Sequence, residues 1–229
     1  MRAFGITMNV VTTPQLADVL QHAYVAFFAR HGVQVVPIPN LVEDLGRYVK
    51  QTAVEGLIMT GGNDVGQPRD GILKGSVAPM RDNCERALLN FAMENRLPVF
   101  GICRGMQFMN CFFGGSLVND IACVTSLSHA GGTHEVVLCD DIATRVLGTT
   151  SAVVNSFHNH GVTPETMAPT LKCVATSPCG TVIEAVRHPT FPILGIQWHP
   201  ERSGCAAILS DGIVRAFLNG EINNSSFSR

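Results

Sequence analysis

The chain has 229 residues, 46% hydrophobic and 15% charged, with a formal net charge of −2. That composition excludes an intrinsically disordered chain, and balanced charge without a basic run excludes the electrostatic footprint of a nucleic-acid or anionic-membrane binder. No stretch reaches about 18 uninterrupted apolar residues, so no membrane-spanning helix is expected.

Strand and helix patterns alternate from the start. MRAFGITMNV reads as a first strand (AFGITM, 3–8), not as a secretory signal, and a cytoplasmic protein is expected. Thr13 and Pro14 read as the N-cap and first turn of a helix whose apolar face is Leu16, Val19, Leu20, Ala23, Tyr24, Phe27 and Phe28, stopped by Gly32. VQVVPI (33–38) is the next strand, 41–52 a short helix, and GLIMT (56–60) a third strand ending in the glycine loop GGND (61–64). A polar loop runs to about residue 79. A helix then starts near Met80 with Cys84, Ala87, Leu88, Phe91 and Ala92 on one face, and PVFGI (98–102) is a fourth strand.

The second half is richer in β signals: EVVLCD (135–140), AVVNS (152–156), LKCVATS (171–177), TVIEAV (181–186) and PILGIQW (192–198), then a helix over about 204–219. Near-continuous apolar strands joined by helices predict a flavodoxin-like three-layer α/β sandwich, with a mostly parallel central sheet and a β-rich C-terminal half. The absence of a linker or repeat predicts one domain over 1–222 and a frayed tail over 223–229. Ligands of such sheets sit at the carboxyl ends of the strands, where GGND and Cys103 both fall.

The eight cysteines include no C-x-x-C pair, and most read as reduced, inert core residues. Cys103 differs. Gly101-Ile102-Cys103-Arg104-Gly105 has the form of a nucleophile elbow, with flanking glycines that let strand and helix approach. The following helix start favours thiolate over thiol. A tight helix entry around a buried cysteine accounts for these residues equally well on their own. GIQWHPE (195–201) adds His199 and Glu201 pinned by a proline, a base with a carboxylate to hold its other nitrogen.

GICRGMQ with GIQWHPE resembles the class I glutamine amidotransferase superfamily, more narrowly its γ-glutamyl hydrolase group of cysteine peptidases. RDNCE, GGSLVND, VNSFHNH and TVIEAV follow in that group's order. The resemblance implies Cys103 as nucleophile, His199 as acid/base and Glu201 as its orienting partner. It implies an oxyanion hole from the backbone N–H groups of Gly62 and Arg104, with Gln107 holding the glutamyl group. Main-chain groups of Asn155, Ser156, Phe157 and His158 would meet the substrate's α-amino and α-carboxylate groups. The implied reaction is acyl transfer from a γ-glutamyl amide to water through a thioester, with a small-molecule substrate and no cofactor.

Other residues carry two readings. Arg81, Asp82 and Glu85 open a helix whose dipole favours the acids; alternatively Arg81 and Glu85 face the pocket and read the glutamyl zwitterion. Asn63 and Asp64 are turn formers or ligand contacts. His158 and His160 invite comparison with a metal site together with Cys139, His129 or His134, but no spacing matches zinc and no metal is expected; His158 is also a rival base. Three functions are weighed: a free-standing γ-glutamyl hydrolase, a glutaminase subunit feeding a separate synthetase, and a reactive-cysteine sensor. Homo-oligomerisation is not legible. The short loop between TGGND and MRD departs from the γ-glutamyl-γ-aminobutyrate type and resembles hydrolases of γ-glutamyl-CDP-amidate, used in capsule phosphoramidate synthesis. Leaving-group contacts are expected from loops 63–80 and 125–134, where Gly131-Gly132 offers a weak phosphate signal.

Overall fold

A computed structural model describes residues 1–66, 76–125 and 129–222. The expectations for the tail, and for parts of the loops 63–80 and 125–134, lie outside the described residues. In chain order the elements are β1 (Arg2–Thr7), β2 (Asn9–Val11), β3 (Ala17–Val19), α1 (His22–Arg30), β4 (Val33–Ile38), α2 (Leu45–Gln51), β5 (Gly56–Met59), α3 (Pro79–Asn95) and β6 (Val99–Ile102). They continue with α4 (Arg104–Phe112), β7 (Thr133–Leu138), α5 (Asp141–Leu147), β8 (Ser151–Asn155), β9 (Lys172–Thr176), β10 (Ile183–Arg187), β11 (Ile193–Ile196) and α6 (Ala207–Leu218).

One nine-stranded sheet runs in the order β4-β1-β5-β6-β11-β10-β9-β7-β8. β4, β1, β5, β6 and β11 are parallel, whereas β10, β9, β7 and β8 extend the sheet antiparallel. β5, β6 and β11 are buried along their whole lengths, as strands covered on both faces must be. Alternation splits their side chains between two cores. Phe4, Ile6, Ile58, Phe100 and Ile102 pack with Phe27 and Phe28 of α1 and Phe217 of α6. Leu57, Met59 and Val99 pack with Leu88 of α3 and Met106 of α4 on the other face. The expected three-layer sandwich with its β-rich second half is the fold.

The helix expected from Thr13 does not form. Residues 9–11 and 17–19 pair as an antiparallel hairpin instead, and the helix begins at His22. Two asparagines far away in sequence fix the hairpin: the Asn63 side chain accepts from Val10 N and donates to Val10 O, both at 2.8 Å. Asn40 donates to Asp18 at 2.7 Å. Leu16 is left 57% exposed and Val19 39%, so only the second half of the apolar periodicity faces the core. The helix at 141–147 was not read from the sequence; Asp140 caps it by accepting from Ala143 N at 3.0 Å. On α3, Ala87 is exposed, and Arg81 and Glu85 occupy the buried face beside Cys84 and Leu88.

The two glycines around Cys103 are explained by close approach. A Cβ on Gly101 would lie 2.8 Å from the Met109 sulfur and 2.9 Å from the Gly105 carbonyl carbon. A Cβ on Gly105 would collide with the Met59 carbonyl oxygen of β5. Because the obstacle is backbone, Gly105→Ala is expected to destabilise by about 1–3 kcal/mol or more, read as a lower urea midpoint at unchanged m-value.

Candidate active site

Three neighbouring parallel strands end at one edge, and each delivers one part of the site. β5 runs into Thr60-Gly61-Gly62, β6 into Cys103, and β11 into Gln197-Trp198-His199. Cys103 has φ +53° and ψ −105°, a backbone that a non-glycine residue adopts only when its surroundings enforce it. Its N–H donates to Ile196 O at 2.7 Å and its carbonyl accepts from Gln107 N at 3.1 Å. The elbow is therefore tied to β11 on one side and to α4 on the other. The thiol is 7% exposed.

His199 and Cys103 meet over Gly61, where an added Cβ would lie 2.8 Å from His199 Cε1 and 3.5 Å from Cys103 Cβ. His199 Nδ1 lies 2.6 Å from Glu201 Oε1. Burial alone would lower the imidazole pKa, but the charge and hydrogen bonds of Cys103 and Glu201 outweigh it and raise it to about 9. A thiol, an imidazole and a carboxylate in series can generate a sulfur nucleophile and hold a proton for its leaving group.

The loop before this trio leaves one amide free. Gly61 N donates to Tyr24 Oη at 3.0 Å and Asn63 N to Asn9 Oδ1 at 2.9 Å. Gly62 lies between them at φ +120°, and its N–H has no hydrogen-bond partner among the described residues. Arg104 N stands at the first position of α4, where a backbone N–H has no intrahelical acceptor.

Several residues expected to touch substrate are instead braces. Arg81 and Glu85 do not face the pocket: both are fully buried. Arg81 donates to Gly61 O at 3.0 Å and Thr60 O at 2.7 Å, and Glu85 joins Arg81 at 3.0 Å and accepts from Thr7 Oγ1 at 2.8 Å. Arg104 reaches from the elbow to Glu85 and Asp82. Asn63 is occupied with the hairpin. Gln107 Nε2 donates to His160 O at 2.9 Å and Gln197 Oε1 at 3.2 Å. The Asn155 side chain brackets His199, accepting from its N at 2.9 Å and donating to its O at 2.8 Å. The main-chain N–H groups of Ser156 and His158 donate to Gly132 O and His129 O. Phe157, 43% exposed, has its ring centroid 6.1 Å from that of His199.

His158 Nδ1 lies 2.8 Å from His160 O, and its ring centroid lies 4.8 Å from that of His129. His129, His134 and Glu184 bring one donor atom each within 4.8 Å of one another. Among the described residues this is the group able to ligate a cation, and two of its members already bond each other, His134 Nε2 to Glu184 Oε1 at 3.0 Å. Cys139 instead pairs with Cys173.

Two site residues were not found from sequence. Gln197 Nε2 lies 3.5 Å from the Cys103 sulfur; its signal was strand alternation, which puts 197 and 199 on one side. Tyr24, buried behind Gly61, was read only as an apolar helix position. Burial foremost, then the Glu201 charge, push its hydroxyl well above the ordinary value, so it stays protonated.

A cysteine elbow, a glycine loop and a His-Pro-Glu turn on adjacent strand ends of this sheet define a glutamine amidotransferase-like protein. The chain belongs to the peptidase C26 family, whose model matches residues 5–201. It is 30% identical over 205 residues to the glutamine amidotransferase-like protein YvdE of Lactococcus lactis, spanning 84% of each chain. It is 31% identical over 156 residues to the γ-glutamyl-γ-aminobutyrate hydrolase of Escherichia coli O157:H7, spanning 61% of this chain and 60% of that one. In fold it is similar to the glutaminase domain of Trypanosoma brucei CTPS, solved with bound acivicin: TM-score 0.65 and 14% identity over 97% of this chain and 94% of that one. Among the described residues, no helix is long and apolar enough to cross a membrane.

Proposed function

We propose that this chain, through one domain over 1–222 acting in the cytoplasm, hydrolyses a γ-glutamyl amide by way of a glutamyl thioester on Cys103. The observation that carries the reading is the +53° elbow, which ties Cys103 to β11 and α4 and sets it beside His199 over Gly61, with Glu201 Oε1 2.6 Å from the imidazole Nδ1. In this mechanism the Cys103 thiolate attacks the γ-carbonyl, and the oxyanion is received by the N–H groups of Gly62 and Arg104. The His199 imidazolium gives its proton to the departing nitrogen, leaving the thioester. A water then attacks, its proton returns to His199, and glutamate leaves with the thiolate restored.

The leaving group is proposed to be the CDP-amidate of capsule phosphoramidate synthesis. Arg202 supports negative charge there: its guanidinium, 34% exposed and paired with Glu201 at 3.5 Å, lies 5.1 Å over the Phe157 ring beside His199. The Escherichia coli relative supports γ-aminobutyrate, also anionic, as the second reading. The test is turnover by mass spectrometry on γ-glutamyl-CDP-amidate, γ-glutamyl-γ-aminobutyrate, a γ-glutamyl polyamine and glutamine. Preference for an anionic conjugate supports the hydrolase. Rapid turnover of glutamine alone identifies a glutaminase subunit, and labelling of Cys103 by an electrophilic glutamine analogue without turnover identifies a sensor.

The raised His199 pKa fixes a pH dependence. The imidazolium that acylation uses persists up to about pH 9 and is lost as pH rises through that value, so kcat/KM falls on the alkaline side. Glu201→Gln removes one of the charges holding that proton. The alkaline limb is expected to move toward neutrality, with a loss of about 10²–10⁴-fold in kcat/KM, both read from one pH–rate profile.

A further inference from the structure

Away from the candidate active site, a second pair of reactive groups converges. Cys139 follows β7 and is exposed, and Cys173 is half-buried in β9. The two strands are antiparallel neighbours in register Val137↔Thr176 and Leu138↔Ala175, and Cys139 N donates to Val174 O at 3.0 Å. This pairing fixes both α-carbons and brings the two sulfurs to 3.0 Å, within about 1 Å of a disulfide bond length.

The two thiols are not equivalent. Cys139 is open to solvent, whereas Cys173 packs its flank against the core and points its sulfur at Cys139. The hydrogen bond from Cys173 favours ionisation of Cys139, against the smaller opposing effect of burial, and the same pairing raises Cys173. An exposed, ionisable sulfur with a second thiol in contact is the arrangement of an oxidisable pair with its own resolving residue.

We infer that Cys139 and Cys173 form a redox modification site, a dithiol that two-electron oxidants of the peroxide or low-molecular-weight disulfide class convert to an intramolecular disulfide. With peroxide, the Cys139 thiolate attacks one oxygen and the O–O bond breaks, giving a sulfenic acid and, after protonation, water. Cys173 then attacks the Cys139 sulfur, displacing the hydroxyl group. That group leaves as a second water with the Cys173 proton. Two thiols lose two hydrogens and one peroxide is reduced. The new bond closes a ring that holds β8, the Asn155 bracket on His199 and the loop through His160, so it tethers the wall of the candidate active site.

The test treats the full chain carrying Cys103→Ala and Cys179→Ser, which remove the candidate nucleophile and an exposed thiol whose pKa hydrogen bonds from Thr181 and Ser177 lower to about 7, with hydrogen peroxide and separately with oxidised glutathione. The expected product has lost two hydrogens by intact mass. A non-reducing peptide map joins the peptides of Cys139 and Cys173, dithiothreitol reverses the link, and the melting temperature of the oxidised form is higher. In a Cys139→Ser background the linked peptide disappears, and Cys173 stays reduced at the same oxidant dose. The inference is overturned if oxidation adds oxygen or glutathione to separate cysteines without a Cys139–Cys173 link. It is equally overturned if the link joins two chains, or if Cys173 reacts as readily without Cys139. None of these readouts uses catalytic turnover, so the result stands apart from the proposed hydrolase activity.

Discussion

Cys103→Ala is expected to lower kcat/KM on the preferred γ-glutamyl conjugate by about 10⁴-fold or more, while leaving substrate binding within a few-fold of wild type. The change deletes only the sulfur. Alanine keeps the Cβ, and the +53° backbone is enforced from outside by the Ile196 carbonyl, by α4 and by the flanking glycines. The fold should therefore survive, and circular dichroism with a melting curve checks that it does. What remains is the free Gly62 amide, the helix N-terminus and His199, which could still assist direct attack by water, so a small residual rate is expected. Labelling by an electrophilic glutamine analogue should be lost together with turnover. A folded variant retaining more than about a tenth of wild-type activity would remove Cys103 from the chemistry and leave the thioester without a carrier.

The parts of the site that were legible in the sequence are those that local geometry dictates. Gly101 and Gly105 bracket Cys103 because strand, elbow and helix pack backbone to backbone. The proline between His199 and Glu201 fixes a turn that sets the imidazole on the carboxylate. The helix-covered parallel sheet followed from repeated β-α units with apolar runs. What could not be read depends on contacts between distant segments. Leu16 and Val19 carry helical spacing, yet they lie on a hairpin because Asn63 and Asn40 bond its backbone and Asp18. The bracket that the Asn155 side chain places on His199 spans 44 residues and had no local signal. The Cys139–Cys173 pair, one read as an inert core thiol and the other weighed only as a metal partner, exists through the pairing of β7 with β9. Arg81 and Glu85 show the same limit: on a helix opening near a glycine loop, charge alone does not tell a ligand contact from a buried strut.

That strut carries the largest expected effect on stability. Glu85 is fully buried between two guanidiniums, bonded to Arg81 and in contact with Arg104, while Arg81 spends its remaining donors on Thr60 and Gly61. Burial by itself raises a carboxyl pKa, but Arg104 and Arg81 reverse that and hold Glu85 below the ordinary value. Arg81 in turn is pressed down by burial first and by Arg104 second, with Glu85 opposing both. Removing this charge strands the buried Arg81 and leaves Arg104 with Asp82 alone, so Glu85→Gln is expected to cost about 3–5 kcal/mol in urea unfolding. The sign of the pH effect follows from the depressed pKa. The contribution of Glu85 is present above the ordinary carboxylate range and fades as pH falls through its folded value, so wild type should lose stability in acid more steeply than the variant. The site should register the change as well. Arg81 holds the carbonyls that orient Gly61 and Gly62, so at temperatures where the variant is folded its kcat should fall more than its KM rises. A variant as stable as wild type would show that Arg81 and Arg104 are neutralised by other groups, and that the glycine loop is held by its hydrogen bonds to Tyr24 and Asn9 alone.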